Sequence, residues 1–266
     1  MMFDTFSKFL AYWDGSEESW LAYINEYPEL FEKIKQDYGR YGEDWHKYLV
    51  IPRKRALDEL KLAHDRLSEV IPKVEEKING LFPFLDEYHI VIYVGLGNGA
   101  GWVTEFKGKP AILFGLENIA ELNWFDMVGG LAAHEFGHLV HWLLRGENIE
   151  NIEEEQVFWL YTEGFAQRIE DWVIGRPWHL EEEGWFEWCE GNEALIKAEF
   201  LKYLQEKKPL NRFFGSWFEI FGKKFLGYYL GYKFIIQLER ERTLEGIAKM
   251  DKEEIRAKIL EFLSEG

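Results

Sequence analysis

Three histidines and a glutamate lie within one apolar run, LAAHEFGHLVHWLLR, at residues 131–145. The apolar residues recur with helical periodicity and no proline interrupts them, so the run predicts a buried or half-buried helix. His134 and His138 are four residues apart, and side chains with that spacing lie above one another on one helix face. Burial of such ionisable groups costs on the order of several kcal/mol unless a partner compensates them. The helix therefore needs either hydrogen-bonding partners or a metal ion.

The pattern H-E-x-x-H at residues 134–138 is typical of zinc sites. Two imidazoles one turn apart can occupy two corners of a tetrahedral zinc ion at about 2.0 Å each, and Glu135 can then reach a water at another corner. The same pattern also arises by chance, and a histidine on an apolar helix is more often a hydrogen-bonded core residue. The pattern favours zinc over a zinc-free helical protein because a metal ion removes the cost of burial.

Composition limits the class of protein. At 266 residues and 47% hydrophobic, the chain can bury a large core, and we expect one compact, enzyme-sized unit over residues 1–266. The net charge of −17 argues against a nucleic-acid partner and against an anionic membrane surface, since both bind clustered basic residues. We expect a cytoplasmic protein, because the N-terminal residues resemble no signal peptide and no long apolar span is present. A single cysteine, Cys189, agrees with a reducing compartment.

The rest of the chain has mainly helical patterns with one interruption. Residues 1–80 carry amphipathic patterns, in which Pro28 and Pro72 are expected to mark helix boundaries. The β-branched apolar runs at residues 89–97 and 111–119 predict strands. Helical patterns return after the histidine helix. The sequence therefore predicts an α+β fold that is mainly helical.

Three parts follow one another along this predicted fold. The parts are a helical N-terminal part at residues 1–80, a small sheet with the histidine helix at residues 81–145, and a helical C-terminal part at residues 146–266. Between the two predicted strands, Gly95, Gly97 and Ala100 have the spacing that begins a dinucleotide-binding fingerprint. That fingerprint requires a helix directly afterwards, whereas residues 101–110 hold Gly, β-branched residues and Pro. A Gly-rich turn between strands is therefore favoured over a nucleotide site.

A catalytic zinc site needs a third protein ligand. The candidates are His141, the acidic residues within 147–155, Glu163 and Glu170. His141 is seven residues beyond His134, about 10.5 Å along a helix, so it is expected to support the site or to be a hydrogen-bonded core histidine. Residues Glu153, Glu154 and Glu155 are expected to form a solvated, cap-like cluster.

Glu163 is the favoured third ligand. It lies in the apolar run VFWLYTEGFAQRIEDW, where a carboxylate belongs only if it is paired or bound to a metal. The interval after His138 is long enough for the first helix to end and for a second helix to return antiparallel to it. Glu170 lies at the charged end of the same run, so we expect it to be solvated.

These residues resemble the gluzincin branch of the zincin metallopeptidases. His134-Glu135-x-x-His138 and a downstream helix with Glu163 have the order found in that branch, and T-E-G-F-A at residues 162–166 is similar to the E-G-x-A of many predicted zinc-dependent proteases. The resemblance implies a zincin-like fold in which His134, His138 and Glu163 hold zinc.

Two further segments bear on the resemblance. Residues 227–238, GYYLGYKFIIQL, have the G-Y-x-x-G-Y form seen near the C-terminus of some of these proteins, and the resemblance covers residues 89–238. The chain departs from the thermolysin pattern at Gln167, where an Asp supports the first zinc histidine. An amide could accept from His134 but would support that ligand less strongly.

The resemblance implies zinc-dependent hydrolysis of a peptide or protein substrate. A zinc-activated water would attack, and Glu135 would take its proton and pass it to the leaving amine. The segment 111–119 is expected to be an edge strand that binds an extended peptide through main-chain hydrogen bonds. The alternative is a zincin-like, zinc-binding module without peptidase activity.

Two tyrosines are candidate donors to the oxyanion of the reaction. Tyr228 and Tyr232 are four residues apart on one predicted helix face, and a phenol can stabilise an oxyanion without carrying charge. Tyr232 is preferred because it begins the apolar run YKFIIQL. The alternative role for both residues is core packing with a hydrogen-bonded hydroxyl.

Overall fold

The computed structural model describes residues 1–40, 42–85 and 87–265. The chain forms two compact units, Met1–Glu135 and Phe136–Gly266. The division between them falls within one continuous helix, Val128–Arg145. That helix carries the H-E-x-x-H pattern, and it includes residues 131–145, where the sequence predicts a helix. It belongs in part to each unit.

The first unit combines a small sheet with helices. Its strands are β1 (Met2–Asp4), β2 (His89–Tyr93), β3 (Gly101–Phe106) and β4 (Lys109–Gly115). Its helices are α1 (Phe6–Tyr12), α2 (Glu17–Ile24), α3 (Pro28–Arg40), α4 (Leu57–Leu81), α5 (Leu116–Glu121) and the first part of α6 (Val128–Arg145). Short 3-10 helices at Trp45–Tyr48 and Pro52–Lys54 precede α4.

The sheet of the described residues has the strand order β1-β2-β4-β3. β1, β2 and β4 run parallel, and β3 pairs antiparallel with β4 in a register that places Gly101 opposite Phe114. All five residues of β2 are buried, which is typical of a parallel strand covered on both faces. The expected edge strand at residues 111–119 is therefore wrong. β4 lies between β2 and β3, and β3 is the edge strand.

The six residues of β3 form a strand where the sequence predicts a connection between strands. Lys107 and Gly108 both have positive φ values, 50° and 72°, as a two-residue hairpin turn requires. This turn reverses the chain and pairs Phe106 with Lys109. The predicted strand at residues 111–119 in fact ends at Gly115, where α5 begins.

The Gly-rich turn after β2 is held by a buried carboxylate. Glu117 is fully buried, and its carboxylate oxygens accept hydrogen bonds from the backbone N–H groups of Gly95 at 2.8 Å and Gly97 at 3.0 Å. Burial raises the pKa of Glu117 to about 7, although the hydrogen bonds from these two amides oppose the shift. Amides of this kind would be needed to bind a pyrophosphate. Glu117 already accepts hydrogen bonds from these amides, and a strand follows the turn instead of a helix. The turn therefore has a structural role.

The long helix α4 runs through Pro72, which was expected to end it. A proline inside a helix costs about 3 kcal/mol. Leu67, Ile71, Val74 and Ile78 form a buried stripe on both sides of Pro72, and burial of each such side chain contributes about 1.5–3 kcal/mol. Packing of the stripe therefore outweighs the local cost. Pro28, in contrast, begins α3 as expected.

The second unit is helical within the described residues. After α6 its helices are α7 (Glu150–Glu153), α8 (Trp159–Val173), α9 (Trp185–Gly191), α10 (Glu193–Gln205), α11 (Leu226–Leu238), α12 (Leu244–Ala248) and α13 (Lys252–Ser264). Short 3-10 helices lie at Gln156–Phe158 and Leu210–Phe213. Together with the sheet of the first unit, these helices confirm the α+β, mainly helical class.

Two glycines set the packing of α8 against α11. A β-carbon on Gly231 would lie 2.5 Å from the carbonyl oxygen of Leu160, and one on Gly164 would overlap the backbone of Gly231. The helix backbones therefore touch directly. Gly227 instead leaves room for the ring of Phe214. Among the described residues, no helix has the length and apolar character needed to cross a bilayer.

Candidate metal centre

Four polar side chains of the helix α6 are buried, and three of them belong to the H-E-x-x-H pattern. His134, Glu135 and His138 are all buried. Small residues next to them permit close packing of the helix: a β-carbon on Gly137 would lie 2.6 Å from the Cα atom of Ala166 in α8. The backbones of α6 and α8 therefore meet at this point. Side chains one turn away on α8 can consequently reach the histidines.

Glu163 on α8 completes a group of three potential ligands. One ligand atom from each of His134, His138 and Glu163 lies within 4.8 Å of the other two. The Nε2 atom of His138 and the Oε2 atom of Glu163 are 3.4 Å apart. Two ligands of a tetrahedral ion with bonds of 2.0–2.1 Å are separated by about 3.3–3.4 Å. The residues predicted from the sequence are thus brought together, and they could hold a metal ion.

Exposure differs among these three residues. The side chain of His138 is 9% exposed and that of Glu163 is 21% exposed, whereas His134 is buried. Solvent therefore reaches the group from the side of Glu163. A site that holds an ion and also admits a reactant needs such an opening.

Glu135 is buried beside the first strand residue of β3. A β-carbon on Gly101 would lie 2.5 Å from Cγ, 2.6 Å from Oε1 and 2.7 Å from Cδ of Glu135. The side chain of Glu135 therefore rests against the main chain of the edge strand. Glu135 follows His134 in the sequence, so α6 carries a second carboxylate, distinct from Glu163, directly beside the first histidine.

A second buried group also includes His134. One ring nitrogen of His134, one carboxylate oxygen of Glu170 and one ring nitrogen of His179 lie within 4.8 Å of one another. Glu170 has an exposed fraction of 0%, so the expectation that it is solvated is wrong. The chain beyond α8 returns to this helix and brings His179 against Glu170.

Three hydrogen bonds engage the carboxylate of Glu170. Its Oε1 atom accepts from the backbone N–H of His179 at 2.7 Å, and its Oε2 atom accepts from His179 Nδ1 and from Gln167 Nε2, both at 2.8 Å. A carboxylate engaged by three donors is better described as part of a network than as an ion ligand. An imidazole has two nitrogens, so His134 can face an ion with one and this network with the other.

The spacing of polar residues in the sequence could have predicted this network. Glu163, Gln167 and Glu170 follow one another at intervals of four and three residues, which places them on one face of α8. Three polar residues on one face of an apolar helix indicate a common partner. Gln167 is fully buried, and its carbonyl oxygen has no hydrogen-bond partner among the described residues.

His141 is a core histidine, as expected. Its Nε2 atom lies 3.1 Å from the hydroxyl oxygen of Tyr161, and its ring stacks on that of Phe165 with a centroid distance of 4.2 Å. Burial holds the pKa of His141 well below its usual range, and the positive charges of His138 and Arg145 add to this effect. The residue is therefore neutral and packs against Tyr161 and Phe165.

The acidic cluster is only partly as expected. Glu154 and Glu155 are exposed, whereas Glu153 is half-buried. Burial raises the pKa of Glu153 to about 7, and the negative charge of Glu163 adds to the rise, although His138 and a hydrogen bond with Thr162 oppose it. Glu153 therefore interacts with His138, Glu163 and Thr162 and does not belong to a solvated cap.

The two tyrosines of α11 have other surroundings in the structure. The hydroxyl of Tyr232 donates a hydrogen bond to Asp171 Oδ2 at 3.0 Å, and Asp171 lies about 12 Å beyond Glu163 along α8. Burial raises the pKa of Tyr232 to about 12, with the charge of Asp171 adding to the shift. Tyr228 is half-buried, and its ring packs on those of Phe214 and Phe225. Their role as oxyanion donors remains a prediction.

These groups give the site two separate chemical capacities. His134, His138 and Glu163 can hold a metal ion, and Glu135 offers a carboxylate outside that ligand set. The buried network of Glu170 and its partners adjoins the first histidine. A function must be assigned from this geometry, since no protein-family model, curated protein or solved structure matches the chain.

Proposed function

We propose that this chain is a zinc metallopeptidase with a zincin-like fold. His134, His138 and Glu163 would hold the zinc ion, and Glu135 would be the general base. The observation that carries the proposal is the separation of 3.4 Å between His138 Nε2 and Glu163 Oε2, which suits a tetrahedral ion. Two histidines and one glutamate form a ligand set of catalytic zinc sites, in which a fourth position stays open for a reactant.

Glu135 supports a catalytic role for the metal over a structural one. A structural zinc ion has no use for a buried carboxylate outside its ligands, and such an ion usually fills its fourth position with protein. When bound, zinc would supply Lewis acidity that polarises a carbonyl and lowers the pKa of water. Glu135 would accept a proton from the attacking water and donate it to the leaving amine.

The edge strand β3 offers a binding surface for the substrate. In the described part of the chain, β3 pairs with β4 on one side only, and a strand edge can bind an extended peptide through main-chain hydrogen bonds. The contact between Gly101 of β3 and Glu135 would place such a peptide beside the base. This arrangement favours a peptide bond as the group that is cleaved.

Glu170 and His179 would orient the first zinc ligand. Ligating histidines usually donate their second ring N–H to a carboxylate, a carbonyl or a water, which fixes the tautomer and the ring orientation. A ring nitrogen of His134 faces the buried carboxylate of Glu170, and His179 and Gln167 hold that carboxylate in place. Glu170 would thus take the role that an Asp has in the thermolysin pattern at the position of Gln167.

The test is a metal assay followed by a peptidase screen. Protein purified without chelators should contain one zinc ion per chain by elemental analysis, and a chelator should abolish cleavage of quenched peptide substrates. Glu135→Gln keeps the shape of the side chain and should retain zinc while turnover falls by about 10² to 10⁴, the usual contribution of a positioned acid or base. Failure to take up zinc would refute the proposal. Zinc binding without cleavage of any peptide would instead indicate a binding module.

A further inference from the structure

We propose that Gly101 is a positioning residue. Because it has no side chain, it leaves the space that the Glu135 side chain occupies, and any side chain at this position would displace the carboxyl group. The inference rests on the proposed function in one respect, since it assumes that Glu135 acts as the base. The steric contact between the two residues exists independently of that function. It can therefore be tested with and without catalysis.

The geometry leaves no space for a side chain on Gly101. A β-carbon there would lie 2.5–2.7 Å from three atoms of the Glu135 side chain. Carbon atoms in contact are optimally separated by about 3.5–4.0 Å. Alanine at this position and the present conformation of Glu135 therefore exclude each other.

The side chain of Glu135 must move if the two residues clash. Gly101 lies opposite Phe114 in the antiparallel pairing with β4, and the backbone N–H of Gly115 donates to the carbonyl of Ala100 at 3.2 Å. These bonds fix the main chain of β3. The atoms of Glu135 that would be struck, Cγ, Cδ and Oε1, all lie beyond its Cβ atom, so rotation about χ1 is the least costly response.

Alanine is otherwise compatible with this position. Gly97 and Gly108 have positive φ values of 93° and 72°, where a side chain would strain the backbone. Gly101 has no positive φ value, and it belongs to a regular strand. An effect of Gly101→Ala therefore reports the displacement of Glu135 rather than backbone strain.

Displacement of Glu135 should lower kcat and leave zinc in place. A general base must lie within about 2.6–3.2 Å of the proton that it takes, and a misplacement of 1 Å can cost about 10²-fold in rate. A β-carbon on Gly101 would have Glu135 atoms as its nearest neighbours and none from the proposed ligands His134, His138 and Glu163. We therefore expect Gly101→Ala to lower kcat by about 10²-fold, with zinc content unchanged and a much smaller change in KM.

The decisive experiment is a double-mutant cycle of Gly101→Ala and Glu135→Ala. Gly101→Ala should lower kcat in the wild-type background and cause no further loss in the Glu135→Ala background, because the displaced group is then absent. The same cycle is measured as the midpoint of thermal unfolding of the zinc-free proteins. Gly101→Ala should lower that midpoint only when Glu135 is present.

A control glycine separates this contact from a general effect of the substitution. Gly80 lies in α4, and a β-carbon there would meet no atom within 4 Å, so Gly80→Ala should retain full kcat. Additive effects of Gly101→Ala and Glu135→Ala, or wild-type kcat in Gly101→Ala, would overturn the inference. Coupling in thermal unfolding without peptidase activity in any variant would refute the proposed function and support the contact.

Discussion

The Nε2 atom of His138 lies 3.4 Å from the Oε2 atom of Glu163, although the two residues belong to different helices. The approach is possible because α6 and α8 meet at Gly137 and Ala166. Side chains larger than a hydrogen atom at Gly137 would separate the helices and carry Glu163 away from the histidine. The ligand geometry therefore depends on a glycine that has no metal-binding group of its own.

Glu163→Ala should weaken zinc binding strongly. It removes one of three ligands, whereas loss of a residue that merely supports a ligand already costs about 10–100-fold in affinity. We therefore expect a loss of more than about 100-fold, measured by competition with a chromophoric chelator.

Glu154→Ala is the matched control for Glu163→Ala. Glu154 belongs to the same acidic region but is exposed, so its removal deletes an equal charge without touching the site. Equal losses of zinc affinity in the two variants would show that Glu163 acts only through net charge and is not a ligand.

Glu170→Gln should weaken zinc binding by about 10–100-fold, the usual effect of removing a carboxylate that supports a ligating histidine. The substitution keeps the size of the side chain but removes the charge that His134 and His179 face. The measurement is the zinc dissociation constant, followed by the coordination spectrum of the cobalt-substituted protein.

Glu117→Gln provides the comparison for Glu170→Gln. Both glutamates are fully buried and accept backbone hydrogen bonds, but Glu117 holds the Gly-rich turn of the first unit. Glu117→Gln should lower the free energy of unfolding and leave zinc affinity unchanged. If both variants lost zinc to the same extent, Glu170 would be a structural residue only.

The candidate ligands could be predicted because their geometry is largely local. The spacing of His134 and His138 fixes their common helix face, and a carboxylate in an apolar helix pointed to Glu163. His179 could not be found in this way, because its contact with Glu170 depends on the path of the chain after α8. Glu170 itself was misjudged because neighbouring charges suggested a solvated helix end.

The sheet was predicted only where its strands are continuous apolar runs. β2 and β4 carry apolar runs, whereas β1 is three residues long and pairs with β2 from the far end of the first unit, as in Met2 opposite Ile90. Such a pairing is set by tertiary packing and not by local propensity. The error about the edge strand followed directly from the missed β3.

Tyr232→Phe tests the predicted oxyanion donor against the hydrogen bond seen with Asp171. Loss of an oxyanion donor lowers kcat by about 10²–10³, and we expect that loss with unchanged zinc content. Loss of the bond to Asp171 alone should cost about 1 kcal/mol in the free energy of unfolding, since Asp171 keeps its bond from Arg168 at 2.8 Å.

Tyr228→Phe is measured alongside Tyr232→Phe, because Tyr228 lies one turn earlier on α11. A fall in kcat confined to Tyr228→Phe would move the role to that residue. If kcat is retained in both variants and only Tyr232→Phe is less stable, the hydroxyl serves the fold and tyrosine takes no part in the reaction.

The pKa of Glu117 predicts a stability that depends on pH. Burial raises this pKa from 4.5 to about 7, so the folded protein binds a proton that the unfolded chain releases between these values. The stabilising effect is fully present below about pH 4.5 and is lost as the pH rises through about 7, by about 3 kcal/mol in total.

Glu117→Gln cannot titrate, so its free energy of unfolding, measured with a chelator present, should lack this decline. Because Glu153 titrates in the same range in both proteins, the difference between them isolates Glu117. Parallel pH profiles of the two proteins would show that the carboxyl of Glu117 stays ionised in the folded chain, held by the amides of Gly95 and Gly97.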